Sequence, residues 1–277
     1  MPDSLARSGS TLLRFGLVTD AHSAVKAPAI GRYYADSRAK MAQCVATLNK
    51  AGLDFLIELG DLKDELTPAS EASTLEFLRD IEAELAGFDG PRYHVLGNHD
   101  VDSISKQQFL AAVENTGISA EHSYYRFDSG AVRCIVLDAN FRADGSPYQR
   151  GCFDWTDANL PAEQCDWLCG ELATAPGPVL VFVHQLLDGA GDYWINNAPE
   201  VRELLAADRK VLAVFHGHYH PGRHSAIDGV HYFTQRALVE GPGLNNNAFS
   251  IVEVGEDLSI RISGFGQART TVLLPID

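Results

Sequence analysis

Apolar runs that stop at short polar clusters organise this chain. Leu12–Thr19 runs apolar and stops at Asp20, which predicts a buried first strand. A Gly/Pro/Ala-rich loop follows through Gly31. From Asp36 or Ser37 as N-cap, Met41, Val45 and Leu48 fall on one face of a helix that stops near Gly52. Asp54–Leu59 predicts a second strand. Thr67 or Ser70 then caps a helix carrying Leu75, Leu78, Ile81 and Leu85. Arg92–Leu96 predicts a third strand, followed by a helix around Lys106–Glu114.

The pattern then changes. Tyr124–Phe127 and Val132–Asp138 predict a hairpin about the Asp128-Ser129-Gly130 turn. Residues 140–158 read as a long polar and aromatic loop. Pro161–Leu172 predicts a helix, Val179–Val183 a strand, Glu200–Ala206 a helix and Val211–Phe215 a strand. Short strands recur to the C-terminus, with a turn at Ile227-Asp228-Gly229-Val230. Two βα-rich stretches with hairpins predict two packed sheets covered by helices. No Pro/Ser linker, repeat or low-complexity segment interrupts them, so residues 1–277 are expected to form one domain.

Five polar clusters sit directly after the apolar strands. They are Asp20-Ala-His22, Gly60-Asp61-Leu62-Lys63-Asp64, Gly97-Asn98-His99-Asp100, His184, and Gly217-His218-Tyr219-His220. Loops at strand ends carry side chains that converge on one site while the sheet stays rigid. Each cluster alone is a weak signal. Together they supply imidazoles, carboxylates and one amide oxygen without a thiolate, a donor set suited to zinc, manganese or iron.

Composition narrows the partners. A formal net charge of -15 disfavours long nucleic acid and anionic membrane surfaces. A small phosphate ester stays possible, because two bound cations would reverse the local sign. The chain is 45% hydrophobic, enough to bury a core. Five cysteines (44, 134, 152, 165 and 169) lack a C-x-x-C pair and are expected as buried or reduced thiols. Met1 to Arg14 lacks a long apolar stretch, and no run approaches the ~18 apolar residues of a membrane span. A soluble, cytoplasmic protein is expected; its oligomeric state is open.

The ordered motifs D-x-H, G-D-x-x-D, G-N-H-D, H and G-H-x-H, spanning residues 20–220, resemble those of the calcineurin-like metallophosphoesterase superfamily. The resemblance implies an α/β fold: two packed mixed β-sheets flanked by helices in a four-layer α/β/β/α sandwich. It also implies a dinuclear centre of divalent or trivalent ions (manganese, iron or zinc). Asp20, His22 and His220 would hold one ion, Asn98, His184 and His218 the other, and Asp61 would bridge. A bridging carboxylate can hold cations ~3.5–4 Å apart, the spacing that clamps an in-line displacement.

The expected reaction is attack of a metal-bridging hydroxide on phosphorus. His99 is not needed as a ligand and is the expected general acid or charge stabiliser. Asp64 is the candidate to orient it, with Asp100 as the rival. Gly31-Arg32-Tyr33-Tyr34 and the stretch from His218 through Gly229-Val230-His231-Tyr232 to Val239-Glu240-Gly241 are similar to manganese-dependent ADP-ribose/CDP-alcohol diphosphatases. Here D-x-H stands where D-x-Gln is expected in animal members, which alters an inner metal ligand. Arg32 or Arg236 could pair with a second phosphate, and Tyr33, Tyr34, Tyr193 or Trp194 could stack on a base. Asn196 and Asn197 are expected as loop residues. Other functions compatible with these residues are a cyclic-nucleotide or glycerophosphodiester phosphodiesterase, a phosphomonoesterase, or a metal-free protein-binding scaffold.

Overall fold

The structure, a computed structural model, describes residues 11–151 and 154–276. Cys152 lies outside the described residues. One sheet carries three parallel strands, β1 (Thr11–Val18), β2 (Phe55–Glu58) and β3 (Arg92–His94). The second sheet starts with the hairpin β4 (Tyr125–Ser129) and β5 (Val132–Val136). It continues with β6 (Val179–Phe182), β7 (Val211–His216), β8 (Arg223–Ile227) and β9 (Val230–Thr234). The chain then returns to the first sheet as β10 (Ala248–Gly255), β11 (Ile260–Gly266) and β12 (Thr271–Leu273).

The strand orders are β12-β11-β10-β1-β2-β3 and β4-β5-β6-β7-β9-β8. Both sheets are mixed: β10 runs antiparallel to β1, while β5, β6, β7 and β9 run parallel with antiparallel edges. Each central strand is covered on both faces, which explains continuous apolar runs in place of alternation. β2 and β6 are buried at every position.

Helices supply the outer layers. α1 (Ser37–Leu48), α2 (Glu71–Leu85) and α3 (Lys106–Ala112) pack on the first sheet through Met41, Leu48, Leu78, Ile81 and Phe109. α4 (Ala162–Thr174) and α5 (Ala198–Ala207) cover the second through Leu168, Leu172, Val201 and Leu205. Ser70, not Thr67, caps α2 by accepting the Ser73 N–H, and Ser105 with Gln108 forms a capping box on α3. That box places the start of α3, and the helix ends two residues short of the expected Glu114.

Between the sheets, Phe15 stacks on Phe55 with ring centroids 4.9 Å apart and meets Phe182 and Phe215 edge-on. This aromatic centre fixes how the sheets face each other, so the loops leaving β1, β2, β3, β6 and β7 share one rim. Cys44 and Cys134 are buried, Cys165 is half-buried and Cys169 is exposed on α4; all four are free thiols, in line with the expected buried or reduced cysteines. Among the described residues, no helix is long and apolar enough to cross a membrane.

Candidate metal centre

The strand-end loops are laced together by backbone bonds. Asp20 donates its N–H to the Gly60 carbonyl (3.0 Å), His22 to Asp61 (2.8 Å) and Gly217 to His184 (3.1 Å). The chain turns so sharply there that Asp20, His22, Asp61 and His218 take left-handed backbone conformations, with φ of 52°, 43°, 58° and 67°. Asp, Asn and His are among the few non-glycine residues that tolerate this region. Gly97 and Gly217 allow the close approach: a Cβ on Gly97 would collide with the Asp61 backbone, and one on Gly217 with Thr19 Oγ1.

Among the described residues, four groups have their potential ligand atoms within 4.8 Å of one another: Asp20/His22/His220 and Asp61/His184/His218, which match the expected ion sites, and His22/Asp61/His99 and Asp64/His99/Asp102. In the first, Asp20 Oδ1 lies 3.7 Å from His22 Nε2 and 3.4 Å from His220 Nε2. Asp61 Oδ2 stands 3.6 Å from His22 Nε2 and 3.2 Å from His184 Nε2, within reach of both expected ion sites. Asn98 joins Asp61 and His218 in lining the same cleft. Asp20 Oδ1, Asn98 Oδ1, His184 Nε2 and His218 Nε2 are buried and make no hydrogen bond. Orphaned buried acceptors are costly, and four of them aimed at one place suit cations.

Supporting groups orient the rings. His184 Nδ1 lies 2.7 Å from the Leu59 carbonyl and donates to it, which leaves Nε2 as the ring atom turned toward Asp61. His220 Nδ1 meets Glu240 Oε1 at 2.6 Å. Lys40 of α1 holds that segment by donating to the carbonyls of Leu238, Glu240 and Gly241. Asp64 Oδ2 stands 3.3 Å from His22 Nδ1. His216, beside this cluster in sequence, instead accepts the Leu187 N–H and stacks on Tyr232.

Electrostatics follow from crowding buried charges. Burial raises the Asp61 carboxyl, but His184 and His99 outweigh it and hold the group well below the usual range. Burial disfavours charge on His184, yet Asp61 and Asp20 lift it to about 9. Burial and then the charge on His184 push His218 down to about 3.

His99 lines the cleft with its Nδ1 turned away, 3.6 Å from Asp64 Oδ1 and 3.6 Å from Asp102 Oδ2. Burial opposes its charge, but Asp61, Asp102 and Asp64 together raise it to about 10. Asp100 is engaged elsewhere: its oxygens accept the backbone N–H groups of Asp61, Leu62 and Gly97. Asp64 is therefore the neighbour of His99, and Asp102 is a second one. Asp102 is gripped by the buried Lys63 ammonium.

The cleft holds about 380 Å³, and its outer wall is Ile30, Arg32, Trp155 and Tyr193. Arg32 and Tyr193 thus lie where a substrate could touch them. Four other expected contacts do not. Tyr34 is 5% exposed and packs with Ala24, Phe77 and Val239 under the Lys26 ammonium, so it belongs to the core. The reason is local: Tyr33 donates its N–H to the Val239 carbonyl, and pairing of this segment with 239–240 turns Tyr34 inward. Tyr33 is half-buried outside the cleft lining. Arg236 faces a separate hollow with Arg223, Thr234 and Arg269. Trp194 is an anchor, its indole N–H donated to Asp188 Oδ1. Asn196 and Asn197 are loop braces, bonded to Asp157 and Leu160.

Asp102 and Trp155 were not among the expected site residues, and Glu240 was quoted only within the Val239-Glu240-Gly241 stretch, without a role. Asp102 carries the one available signal, as a third polar residue closing His99-Asp100-Val101-Asp102. Glu240 and Trp155 reach the site from loops whose path only the fold reveals.

Comparison with known proteins agrees with this geometry. The rice (Oryza sativa subsp. japonica) manganese-dependent ADP-ribose/CDP-alcohol diphosphatase is 26% identical, over 96% of this chain and 95% of its own length. The Danio rerio serine/threonine-protein phosphatase CPPED1 is 29% identical, over 78% of this chain and 70% of its own. A dimetal phosphatase structure from Danio rerio shares the fold with a TM-score of 0.82 at 19% identity, covering 96% of this chain and 100% of that one. The calcineurin-like phosphoesterase model matches residues 13–222. Because that match spans every segment carrying the converging donors, the chain belongs to the calcineurin-like phosphoesterases, metal-dependent hydrolases that work through a dinuclear centre.

Proposed function

We propose that the chain hydrolyses a pyrophosphate or phosphodiester bond in small nucleotide-type substrates of the ADP-ribose/CDP-alcohol kind, with manganese as the working metal. The observation that carries this is the Asp61 carboxylate, 3.6 Å from His22 and 3.2 Å from His184, in a cleft where the buried Asp20 Oδ1, Asn98 Oδ1 and His218 Nε2 have no hydrogen-bond partner. Asp20, His22 and His220 would hold one ion, Asn98, His184 and His218 the other, and Asp61 would serve both. When bound, the ions supply an activated water and neutralise charge on the phosphoryl oxygens.

The chain's own residues do the rest. His99, its Nδ1 held toward Asp64 and Asp102, keeps Nε2 as the atom that protonates the departing oxygen. Arg32, on the cleft wall, pairs with a second phosphate. The name of the rice relative supports the substrate type and the metal. The net charge of -15 favours a small substrate over a polyanion.

A five-substrate panel tests the proposal: ADP-ribose, a CDP-alcohol, cyclic AMP, glycerophosphocholine and a phosphomonoester, each with manganese, iron and zinc. ADP-ribose or the CDP-alcohol with manganese is expected to show the highest kcat/KM. Preference for cyclic AMP or glycerophosphocholine would move the assignment to a phosphodiesterase acting on those diesters, and for the monoester to a phosphomonoesterase. Absence of turnover and of two bound ions per chain would favour a scaffold.

A further inference from the structure

Trp155 and Tyr193 are each 38% exposed, an unusual state for large rings in a protein whose other aromatics are mostly buried. They stand together at the cleft, ring centroids 5.3 Å apart at 52°. Both also lie edge-on to His218, at 5.9 and 5.5 Å. Exposed aromatic faces beside a phosphate-ester site are stacking platforms when they are held still.

They are held still. Trp194 is tied beneath the loop by Asp188, with Gly189 so close that any Cβ there would strike the indole. Leu186 donates its N–H to the Tyr193 carbonyl, and Ile195 donates back to Leu186. The loop carrying Trp155 is stitched to the same segment: Asn196 donates its side-chain amide to Asp157 (2.7 Å) and its backbone N–H to Ala158 (2.8 Å). Thr156 bonds back to Asp154. Two exposed rings are therefore cross-braced by buried or hydrogen-bonded neighbours, which spares the ordering cost on binding.

We propose that the Trp155–Tyr193 pair is a nucleobase subsite, which selects substrates whose reacting phosphate is joined to a nucleoside. This rests on the proposed reading of the cleft as a phosphate-ester site. A cationic head group such as choline is the other ligand that aromatic faces attract. Here it would lie beside Arg32 and the cations of the centre, where positive charge is repelled. A flat, uncharged base meets no such penalty. Arg32, in the same cleft lining, is then left for the second phosphate.

The test uses the manganese-loaded protein and two monoesters that differ only in the base, AMP and ribose 5-phosphate, with phosphocholine as a third ligand, measured by titration calorimetry. AMP is expected to bind about 10-fold or more tightly than ribose 5-phosphate, a gain typical of one stacked base. Trp155→Ala is expected to remove most of that gain, leave ribose 5-phosphate affinity unchanged, and be rescued by Trp155→Phe. Equal affinities for AMP and ribose 5-phosphate, a gain that survives Trp155→Ala and Tyr193→Ala, or tighter binding of phosphocholine than AMP would each overturn the subsite. Failure to hydrolyse both ADP-ribose and the CDP-alcohol, with the AMP preference intact, would overturn the proposed reaction and leave the subsite standing.

Discussion

Glu240 Oε1 sits 2.6 Å from Nδ1 of His220, so a carboxylate backs the imidazole that completes the first donor group. Burial disfavours charge on His220, but Asp20 and Glu240 overcome it and raise its proton affinity. Such backing fixes the tautomer and sharpens the ligand's basicity. Glu240→Gln is expected to weaken binding of one ion about 10- to 100-fold while the other binds normally. Stepwise manganese titration by calorimetry checks this, and two unchanged affinities would remove Glu240 from the centre.

His99 and Asp61 should fail in different ways. His99→Ala is expected to retain two ions per chain and lose about 10²- to 10⁴-fold in kcat, the usual worth of a positioned acid. Asp61→Ala is expected to lose bound metal first, because its carboxylate serves both donor groups. Metal analysis alongside steady-state kinetics separates the two. Normal kcat in His99→Ala would end its role as the proton donor.

Asp64 and Asp100 differ by where their oxygens point. Asp64→Asn touches both His22 and His99, so both metal affinity and kcat should fall. Asp100→Asn instead places an amide against backbone N–H groups that the carboxylate accepts. Its main expected effect is a loss of about 2 kcal/mol of stability, the scale of a buried polar group left without its partner. Denaturant unfolding of the two variants should show that contrast, and equal stabilities would contradict it.

His94 gives a pH signature away from the centre. Its ring lies between Glu58 (3.6 Å) and Glu82 (3.2 Å). Burial lowers its proton affinity, but Glu82 and Glu58 outweigh that and raise the folded pKa to about 10. The unfolded value is about 6.5. The folded state therefore holds the proton more tightly, so this contribution is full below pH 6.5 and is lost as pH rises towards 10. His94→Gln should cost about 3 kcal/mol near neutral pH by removing the cation that faces the buried Glu58 and Glu82 carboxylates. It should also flatten the fall in Tm between pH 7 and 10. Parallel Tm profiles for the two proteins would refute the assignment.

The strands were legible because covered sheets demand unbroken apolar runs, and Phe55–Glu58 or Val179–Phe182 allow few other structures. The donors were legible because each follows such a run directly. Tyr34 misled, since an aromatic in a Gly-rich loop carries no mark of which way pairing with residues 239–240 will turn it. Glu240 and Trp155 were hidden for the same reason: their roles depend on loop paths, and nothing at neighbouring positions encodes those paths. Asp102 was hidden by a nearer rival, Asp100, whose oxygens are consumed by the backbone.

The donors come from both sheets: Asp20, His22, Asp61 and Asn98 from the rim of one, His184, His218 and His220 from the rim of the other. Any ion held between Asp61 and His184 would act as a clasp across the sandwich, tying β2 to β6 without a covalent link. Occupancy and sheet docking would then be a single thermodynamic event, because ions that bind only the docked form hold it closed by mass action. A cell short of the metal would face a less stable protein as well as an idle one.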